Sequence, residues 1–305
     1  MKTKNWYAHG KLLITGEYLV LEGAKALALP LKLGQYLSLK KQKENKLTWN
    51  AMRPDGLWFQ TILELPGLNV LQTTDEGLAQ KLRSILHHVK NLNPNFITED
   101  EGYSVETILE FDPEYGFGSS STLITNLAKW AKVDPYELQK ITFGGSGYDI
   151  ACAAAKDPII YQLVNKKPTI ELVDFNFDFT DQIYFVYLGK KQRSSESIQN
   201  FKSKSIFSKQ DIDAINMITN EILFSKNISE FEDLLKQHEL LLSRILKRQT
   251  IQSLLFQDHK GAVKSLGGWG GDFVLMTNHS GKEDFVKYIT KKGYDIYYSF
   301  DDIVL

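Results

Sequence analysis

Residues 113–121 read Pro-Glu-Tyr-Gly-Phe-Gly-Ser-Ser-Ser, and this stretch decides how the rest of the chain is interpreted. Gly116 and Gly118 give the backbone access to conformations closed to other residues and let a ligand approach the main chain closely. The serines that follow are favoured at helix starts, and residues 123–131 carry apolar side chains at helical spacing. The stretch therefore predicts a glycine loop leading into a helix N-terminus, where free N–H groups and the helix dipole bind anions.

The chemistry of this loop is narrowed by what it lacks. No Gly-Lys-Ser/Thr sequence closes it, so it is not a Walker A loop. Ser121 occupies the place of the third glycine of a dinucleotide-binding fingerprint. The serine hydroxyls would offer donors to a phosphate or an oxygen ligand to Mg²⁺. A capped helix after an ordinary turn is the structural alternative, and this segment alone leaves both interpretations open.

Two further glycine-marked segments lie far from this loop along the chain. The first is Ala8-His9-Gly10-Lys11, which continues to Gly16-Glu17-Tyr18. The second is Lys264-Ser265-Leu266-Gly267-Gly268-Trp269-Gly270-Gly271-Asp272. Each segment alone is weakly diagnostic, but the three together indicate a phosphate-handling site built from distant parts of one chain.

The three segments together resemble the motifs of the GHMP kinases, the family of galactokinase, homoserine kinase, mevalonate kinase and phosphomevalonate kinase. Residues 113–121 are similar to the family's second motif, Pro-x-x-Gly-Leu-Gly-Ser-Ser-Ala. The first segment is similar to Pro-Gly-Lys followed by Gly-Glu-His or Gly-Glu-Tyr, and the last is similar to Lys-x-x-Gly-x-Gly-Gly-Gly. The departures are Phe117 for leucine, Ser121 for alanine, His9 for proline and Trp269 for glycine.

Shorter features look like the mevalonate-pathway branch of that family. Those that look like phosphomevalonate kinases are Gly16-Glu17-Tyr18, Gly270-Gly271-Asp272 and Ser146-Gly147-Tyr148-Asp149-Ile150-Ala151. The segment Lys191-Gln192-Arg193-Ser194-Ser195 looks like a stretch that mevalonate kinases place near the substrate. The sequence lacks the galactokinase signature, in which Arg and Asn precede Gly-Glu-His-Thr-Asp, and this disfavours a sugar substrate without excluding it.

The order of predicted elements and the resemblance give the same fold class. Strand and helix patterns follow one another irregularly, which is typical of an α+β protein with two domains and a cleft between them. The resemblance implies that residues 1–166 form an N-terminal ATP-binding domain of the ribosomal protein S5 domain 2-like type. It also implies that residues 167–305 form a ferredoxin-like C-terminal GHMP kinase domain. The polar break at residues 165–168 is the predicted boundary.

Local patterns predict individual elements. The apolar run at residues 18–21 is predicted to be a strand. A helix is predicted over residues 228–246, in which His238 and Glu239 are interpreted as an exposed face. Three further helices are predicted to begin at Ser120, Pro135 and Tyr148.

Two residues carry the chemistry that the resemblance implies. Asp149, just after Gly147 at the start of an apolar helix, matches the family's catalytic aspartate and is expected to receive the proton of the acceptor hydroxyl. Lys11 is expected to contact the acceptor oxygen and the transferring phosphoryl group, where it would neutralise charge in the transition state. From the residues alone, a helix-capping aspartate and a solvated surface lysine are the alternatives.

The resemblance also implies binding sites for a nucleotide, a metal and a substrate. ATP is expected to lie against Gly116, Phe117, Gly118, Ser119, Ser120, Ser121, Gly267, Gly268, Gly270 and Gly271. Ser120 aligns with the serine that ligates Mg²⁺ in mevalonate kinase. The family's acidic ligand falls on Leu138, one place from Glu137, so no acidic ligand is assigned. Arg193, Ser194 and Lys264 are candidates for an anionic group of the substrate, with a solvated surface position as the alternative for the two cations.

Composition argues against several classes of partner. The chain has 305 residues with 36 basic and 37 acidic side chains, which gives no reason to expect nucleic acid or an anionic membrane as partner. Cys152 is the single cysteine, and its apolar surroundings favour a buried thiol over a nucleophile. No apolar stretch is long enough to cross a bilayer, and no signal core follows the first lysines. A cytoplasmic location is therefore expected.

The sequence as a whole indicates an ATP- and Mg²⁺-dependent kinase for a small-molecule acceptor. The expected acceptor is a hydroxyl or phosphate on a mevalonate-like acid. Within the same enzyme class, a sugar kinase, a homoserine kinase or a diphosphomevalonate decarboxylase stays open. Outside it, the alternative is a nucleotide-binding protein without turnover that acts as a sensor or scaffold. The oligomeric state is not indicated.

Overall fold

The protein divides into two compact units that each draw on separate stretches of the chain. The computed structural model describes residues 3–97, 101–189, 199, 201, 203, 205–270 and 272–305. The first unit comprises Met1–Gly10, Leu33–Pro113 and Phe117–Ala154, and the second comprises Lys11–Lys32, Glu114–Gly116 and Ala155–Leu305. In the glycine loop predicted from the sequence, Gly116 therefore belongs to the second unit, and the residues from Phe117 onward belong to the first.

The described residues form strands and helices throughout. The strands are β1 (Lys4–Leu13), β2 (Ala26–Gln42), β3 (Lys46–Arg53), β4 (Gly56–Glu64), β5 (Val70–Thr73), β6 (Gly102–Leu109), β7 (Ile159–Val164), β8 (Lys167–Leu172), β9 (Ile183–Tyr187), β10 (Val263–Ser265), β11 (Phe273–Thr277) and β12 (Tyr297–Ser299). The α-helices are α1 (Glu76–Leu92), α2 (Ser119–Ala131), α3 (Pro135–Thr142), α4 (Tyr148–Ala154), α5 (Lys209–Glu221), α6 (Ile228–Leu246), α7 (Ile251–Leu255), α8 (Lys282–Lys291) and α9 (Phe300–Ile303). Short 3-10 turns occur at Leu19–Glu22, Pro113–Tyr115, Thr180–Gln182 and Ile222–Phe224.

In the first unit, a mixed sheet and the helices α1 to α4 share one core. The strand order is β5-β4-β3-β6-β2, with β3 and β6 parallel and the other neighbours antiparallel. Helix α1 begins where the Asp75 side chain accepts a hydrogen bond from Leu78 N at 2.9 Å. Helix α2 packs against both α3 and α4. The core side chains that these helices bury include Leu82, Leu86, Ile124, Leu127, Ala131, Leu138 and Ile150.

In the second unit, a smaller antiparallel sheet has the strand order β10-β11-β9-β12. Helices α5 to α7 connect β9 to β10, and α8 connects β11 to β12. The beginning of β2 pairs with β7, which in turn pairs with β8. The protein thus combines a large mixed sheet with a second, smaller antiparallel sheet, as the α+β interpretation requires. No helix in the described residues combines the length and hydropathy needed to span a membrane.

The boundary predicted at residues 165–168 falls within a hairpin of the second unit. Asn165 and Lys166 form the two-residue turn between β7 and β8, with φ of +52° and +61°. Two left-handed residues are the signature of the type I′ turn that joins antiparallel strands. A polar turn and a polar linker have the same composition, so the sequence pattern could not separate them. The second unit already includes the chain from Ala155 onward.

The strand predicted at residues 18–21 is wrong. This segment enters the 3-10 turn Leu19–Glu22, after left-handed φ values of +85° at Gly16 and +63° at Tyr18. The side chains of Leu19 and Val20 are both buried. A turn buries consecutive apolar residues as well as a strand does, which explains why the short apolar run was misleading. The helix predicted over residues 228–246 is confirmed as α6.

Candidate active site

The glycine loop, defined as residues 116–121, turns directly into helix α2. Gly116 and Gly118 both adopt left-handed backbone conformations, with φ of +70° and +90°. Gly118 is the N-cap, and its carbonyl accepts the first helical hydrogen bond, from Thr122 N at 3.0 Å. No serine side chain caps the helix, contrary to the role that helix-start preferences suggested for the serines. No serine cap therefore occupies the first-turn amides, and this is the arrangement of helix starts that bind anions.

The three serines of the loop have different surroundings. Ser121 is buried, and its hydroxyl donates to the Gly118 carbonyl at 2.8 Å, so it tightens the first turn. Ser119 is half-buried, whereas Ser120 is exposed at the start of the helix. The exposed hydroxyl is the one that the sequence assigned to Mg²⁺, and its position is open to a ligand. The hydroxyl of Ser121, in contrast, already serves the protein backbone.

Phe117, which replaces the leucine of the family motif, points into the protein. Its ring is fully buried and lies edge-on to the ring of Phe111, with centroids 5.6 Å apart. Aromatic pairs in this arrangement favour a fixed ring position. The substitution therefore enlarges the packed side of the loop, while the glycines on either side keep its backbone accessible.

Asp149 lies at the start of α4, after a loop that contains three left-handed glycines. Gly144, Gly145 and Gly147 have φ of +70°, +91° and +90°. Gly147 O accepts hydrogen bonds from Ile150 N and Ala151 N at 3.1 and 3.2 Å, which start the helix. The Oδ1 atom of Asp149 is buried and has no hydrogen-bond partner among the described residues. Among the described residues, seven buried side-chain atoms have no hydrogen-bond partner, and two of them are carboxylate oxygens, Asp149 Oδ1 and Glu17 Oε2. Each such atom needs a specific explanation.

Helix α4 directs its other face into the core of the first unit. Ile150, Cys152 and Ala153 are each at most 1% exposed. The Cys152 thiol is thus enclosed by protein, as its apolar sequence context predicted. Since α4 packs against α2, the core contacts hold the helix of Asp149 against the helix of the glycine loop.

The two acidic-ligand positions considered from the sequence differ in exposure. Leu138 is fully buried in the core of the first unit, and the neighbouring Glu137 is exposed in the first turn of α3. Within the described ranges, no three His, Cys, Asp or Glu side chains are grouped so that they could hold a metal ion. Mg²⁺ in nucleotide sites usually keeps several waters and is bound through one or two carboxylates together with the phosphates. Ser120 would supply one hydroxyl oxygen to such a site, and the carboxylate ligand stays unassigned.

In the second unit, Lys264 is buried and not exposed to a substrate. Its side chain is 0% exposed, and its ammonium donates to Glu17 Oε1 at 2.5 Å and to the Ser265 carbonyl at 2.8 Å. This placement differs from the anion-binding role expected from the sequence, because the charge is already neutralised inside the protein. Lys264, the first residue of the segment at residues 264–272, instead links that segment through Glu17 to the segment at residues 8–18.

Glu17 and Lys11 also interact within this unit. Burial raises the pKa of the Glu17 carboxyl above its ordinary value, while the charges of Lys264 and, more weakly, Lys11 lower it. The side chain of Lys11 is half-buried. The described geometry thus places the predicted catalytic lysine in the electrostatic field of a buried carboxylate.

Two residues of α6 complete this buried cluster, and the sequence interpretation missed both. His238 Nε2 accepts a hydrogen bond from Gly16 N at 3.0 Å, and Ser265 donates to Glu239 through its hydroxyl at 3.0 Å and its amide at 3.2 Å. Burial, and then the charge of Lys264, lower the pKa of His238 well below its ordinary value, so the ring is neutral. The signal was present in the sequence, since His238 follows the buried Phe231 and Leu235 at helical spacing.

Replacing Glu239 with glutamine should change how stability depends on pH. Burial raises the pKa of the Glu239 carboxyl from 4.5 to about 7, so between these values the folded protein holds a proton that the unfolded chain has released. The contribution of Glu239 to the free energy of unfolding therefore falls as the pH rises through 7. As the pH rises from 5 to 8, the free energy of unfolding of Glu239→Gln should increase by about 2 kcal/mol relative to that of wild type.

Urea unfolding of both proteins at pH 5 and pH 8 measures this difference. His238 titrates with the opposite sign below its ordinary pKa, but it is present in both proteins and cancels in the comparison. A difference in unfolding free energy that is the same at both pH values would show that Glu239 is ionised throughout.

The ring of Trp269 is part of the core and does not narrow the third glycine-marked segment. Trp269 is 5% exposed, its Nε1 donates to the Gln249 carbonyl at 3.1 Å, and its amide donates to Tyr18 Oη at 2.9 Å. Its buried neighbours are Leu19, Ala24, Phe201, Ile215, Leu242 and Ile245. Gly267 and Gly270 keep left-handed φ of +68° and +80°, and a Cβ at Gly270 would meet open space.

The remaining candidates divide between described and undescribed parts of the chain. Gly267, Gly268 and Gly270 lie together in the loop between β10 and β11. Gly271, Arg193 and Ser194 lie outside the described residues, so their predicted roles stay predictions.

The fold of this chain is similar to that of several solved protein structures. No protein-family model matches the sequence, and no curated protein matches it. The structure of Methanococcus jannaschii mevalonate kinase superposes with a TM-score of 0.72 at 17% identity, covering 97% of each chain. Streptococcus pneumoniae phosphomevalonate kinase, solved with phosphomevalonate and AMPPNP, gives 0.70 at 14% identity over 98% of this chain and 99% of that one.

The chain has the fold of mevalonate and phosphomevalonate kinases. Lactococcus lactis galactokinase, solved with galactose, is also similar, with a TM-score of 0.68 at 12% identity over 97% of this chain and 92% of that one. At these identities the likeness establishes the kinase fold, and function has to be argued from the residues. The glycine loop, α2 and α4 are therefore the features of this kinase fold on which the functional argument rests.

Proposed function

We propose that this protein is an ATP-dependent small-molecule kinase of the GHMP type, which phosphorylates a hydroxyl or phosphate of a mevalonate-like acid. The observation that carries the proposal is Asp149 Oδ1, buried and without a hydrogen-bond partner among the described residues. It lies on a helix that packs against the helix of the glycine loop. Leaving a buried acceptor unpaired costs about 1–3 kcal/mol, and a catalytic role is one of the explanations for such an atom.

The chemistry of phosphoryl transfer fits the residues that are present. The reaction needs positioning and neutralisation of charge more than covalent participation of the protein. The first-turn amides of α2 would bind the phosphates, and the Asp149 carboxylate would accept the proton of the acceptor. Mg²⁺ would supply charge neutralisation at the phosphates, with the exposed Ser120 hydroxyl as its protein ligand. Lys11 would stabilise negative charge on the transferring group.

The topology of the smaller sheet supports the ferredoxin-like part of the finer domain assignment. From β9 onward, the second unit runs strand, helices, strand, strand, helix, strand, and the order of these strands in their sheet is β10-β11-β9-β12. This is the arrangement of the ferredoxin-like fold. We therefore assign the C-terminal region to that type. The assignment of the N-terminal mixed sheet with α1 to α4 to the ribosomal protein S5 domain 2-like type rests on the resemblance of the motifs.

The short sequence features favour a mevalonate-like acceptor over a sugar. Gly16-Glu17-Tyr18 and the segment around Asp149 resemble phosphomevalonate kinases, and the galactokinase signature is absent. The alternative of a nucleotide sensor without turnover draws on Trp269, whose large ring could narrow the segment at residues 264–272, and on the missing acidic ligand for Mg²⁺. The ring of Trp269 is buried in the core, which weakens the first argument. The second argument stands.

An acceptor panel tests the proposed function. The purified protein with MgATP should release ADP in the presence of mevalonate or phosphomevalonate, and far less with homoserine, galactose or no acceptor. Phosphorus NMR of the product identifies the oxygen that is phosphorylated. Release of ADP with galactose would assign the protein to sugar kinases. ATP binding without acceptor-dependent ADP release for any member of the panel would contradict a kinase and favour a sensor.

A further inference from the structure

The side chain of Asp272 lies against the first glycine of the glycine loop and leaves no room for a side chain there. A Cβ on Gly116 would lie 2.7 Å from both Cγ and Oδ2 of Asp272 and 3.1 Å from Oδ1. A Cβ on Gly267 would lie 3.5 Å from the same Oδ2. The carboxylate therefore occupies the space that two glycines, from two different segments of the chain, leave open.

Asp272 is held firmly by the small sheet of the second unit. The residue is 8% exposed, and its backbone adopts a left-handed φ of +48°. Its carbonyl accepts a hydrogen bond from Leu188 N at 2.8 Å, and the next residue, Phe273, pairs with Tyr187 in β9. The position of the carboxylate is thus fixed by the ends of two neighbouring strands.

The residue before Gly116 is held by the same two strands. The ring of Tyr115 lies 4.9 Å from that of Tyr187 and 5.7 Å from that of Phe273, measured between centroids. Tyr187 Oη also donates to the Glu114 carbonyl at 3.4 Å. Aromatic packing on one side and the Asp272 carboxylate on the other therefore determine where the glycine loop begins.

From this packing we infer that Asp272 is a positioning residue for the nucleotide. Its carboxylate fixes the position of Gly116. Because Gly116 is the first residue of the glycine loop, this contact also fixes where the loop begins, ahead of the first-turn amides of α2. The inference rests on the proposed function, because it assigns those amides to the phosphates of ATP. A carboxylate and a triphosphate repel each other, so the charge of Asp272 does not favour ATP. Asp272 contributes through the shape that it gives to the loop. A displacement of about 1 Å in a positioning group can lower the reaction rate by about 10²-fold.

Three variants separate shape from charge. Asp272→Ala, which removes the support, should raise the dissociation constant of ATP by about ten-fold or more. Asp272→Asn keeps the shape and should stay within about three-fold of wild type. Gly116→Ala places a methyl group against the carboxylate and should also weaken ATP binding by about ten-fold or more, while the KM of the acceptor changes little.

Two comparisons show whether the contact between Gly116 and Asp272 is responsible. The penalty of Gly116→Ala on ATP binding should shrink in the Asp272→Ala background, because the atoms that the methyl group meets are gone. Gly293→Ala is the matched control, since Gly293 has a similar φ of +87° but open space around its Cβ position. It should lower thermal stability through its backbone conformation and leave ATP affinity unchanged.

Calorimetric titration with ATP decides the outcome for each variant. Equal affinities of wild type, Asp272→Ala and Gly116→Ala would overturn the inference while leaving the kinase proposal intact. Loss of affinity in Asp272→Asn equal to that in Asp272→Ala would also overturn it, because charge rather than shape would then be required. Absence of ATP binding by the wild-type protein would overturn the proposed function together with this inference.

Discussion

Asp149→Asn should lower kcat for the acceptor identified by the panel by roughly 10²–10⁴-fold. The substitution keeps the size of the side chain but removes the carboxylate that would accept the proton of the acceptor. Because the Oδ1 atom makes no hydrogen bond within the described residues, the substitution breaks none at that atom. The dissociation constant of ATP and the melting temperature should therefore remain close to those of wild type.

Steady-state kinetics and calorimetry on the same preparations separate these effects. Asp157→Asn is the matched control, since Asp157 follows the same helix but is exposed, and it should retain wild-type turnover. If Asp149→Asn turned over acceptor at the wild-type rate, Asp149 would not be the base. If it lost ATP affinity and stability together, its role would be structural.

Lys264→Met should lower the free energy of unfolding by about 3–5 kcal/mol. The lysine is fully buried, and its loss would leave the Glu17 carboxylate in the protein interior without its positive partner. Burial already raises the pKa of Glu17, and Lys264 is the strongest influence in the opposite direction. Urea unfolding of the variant measures the effect, and glutamine at position 17 should recover part of the loss in the double variant.

An exposed ion pair provides the control for this experiment. Lys287 and Asp284 approach to 3.3 Å on the surface of α8, where both side chains are largely solvated. Lys287→Met should cost less than about 1 kcal/mol. An effect of Lys264→Met as small as that of Lys287→Met, or an absence of coupling with Glu17→Gln, would mean that the buried pair does not stabilise the fold.

The glycine loop was predictable because its determinants are local. Left-handed φ at Gly116 and Gly118 and the apolar spacing of α2 are properties of one short stretch, and the structure has both. The N-cap of α2 was less predictable, because any of three adjacent serines could have taken that position. In the structure Gly118 is the N-cap. Composition alone also could not distinguish the hairpin turn at Asn165 from a linker.

The buried cluster of the second unit was beyond a local interpretation. Lys264, Glu17 and Glu239 come from three distant parts of the chain, and each would be solvated in isolation. Only the fold brings Lys264 to Glu17 and the hydrogen-bond donors of Ser265 to Glu239, which makes their burial tolerable. His238 is different, because its spacing from Leu235 already placed it on the apolar face of α6. Trp269 replaces a glycine of the family motif, and its burial in the core could not be predicted from the motif.

The enclosure of Cys152 makes the protein suitable for site-directed labelling. It is the single cysteine of the chain, and its thiol is 0% exposed in the core behind α4. A maleimide fluorophore added to the native protein would consequently find little to react with. A cysteine introduced at an exposed position such as Lys132 or Lys156 would then carry the dye alone, without first removing the native thiol.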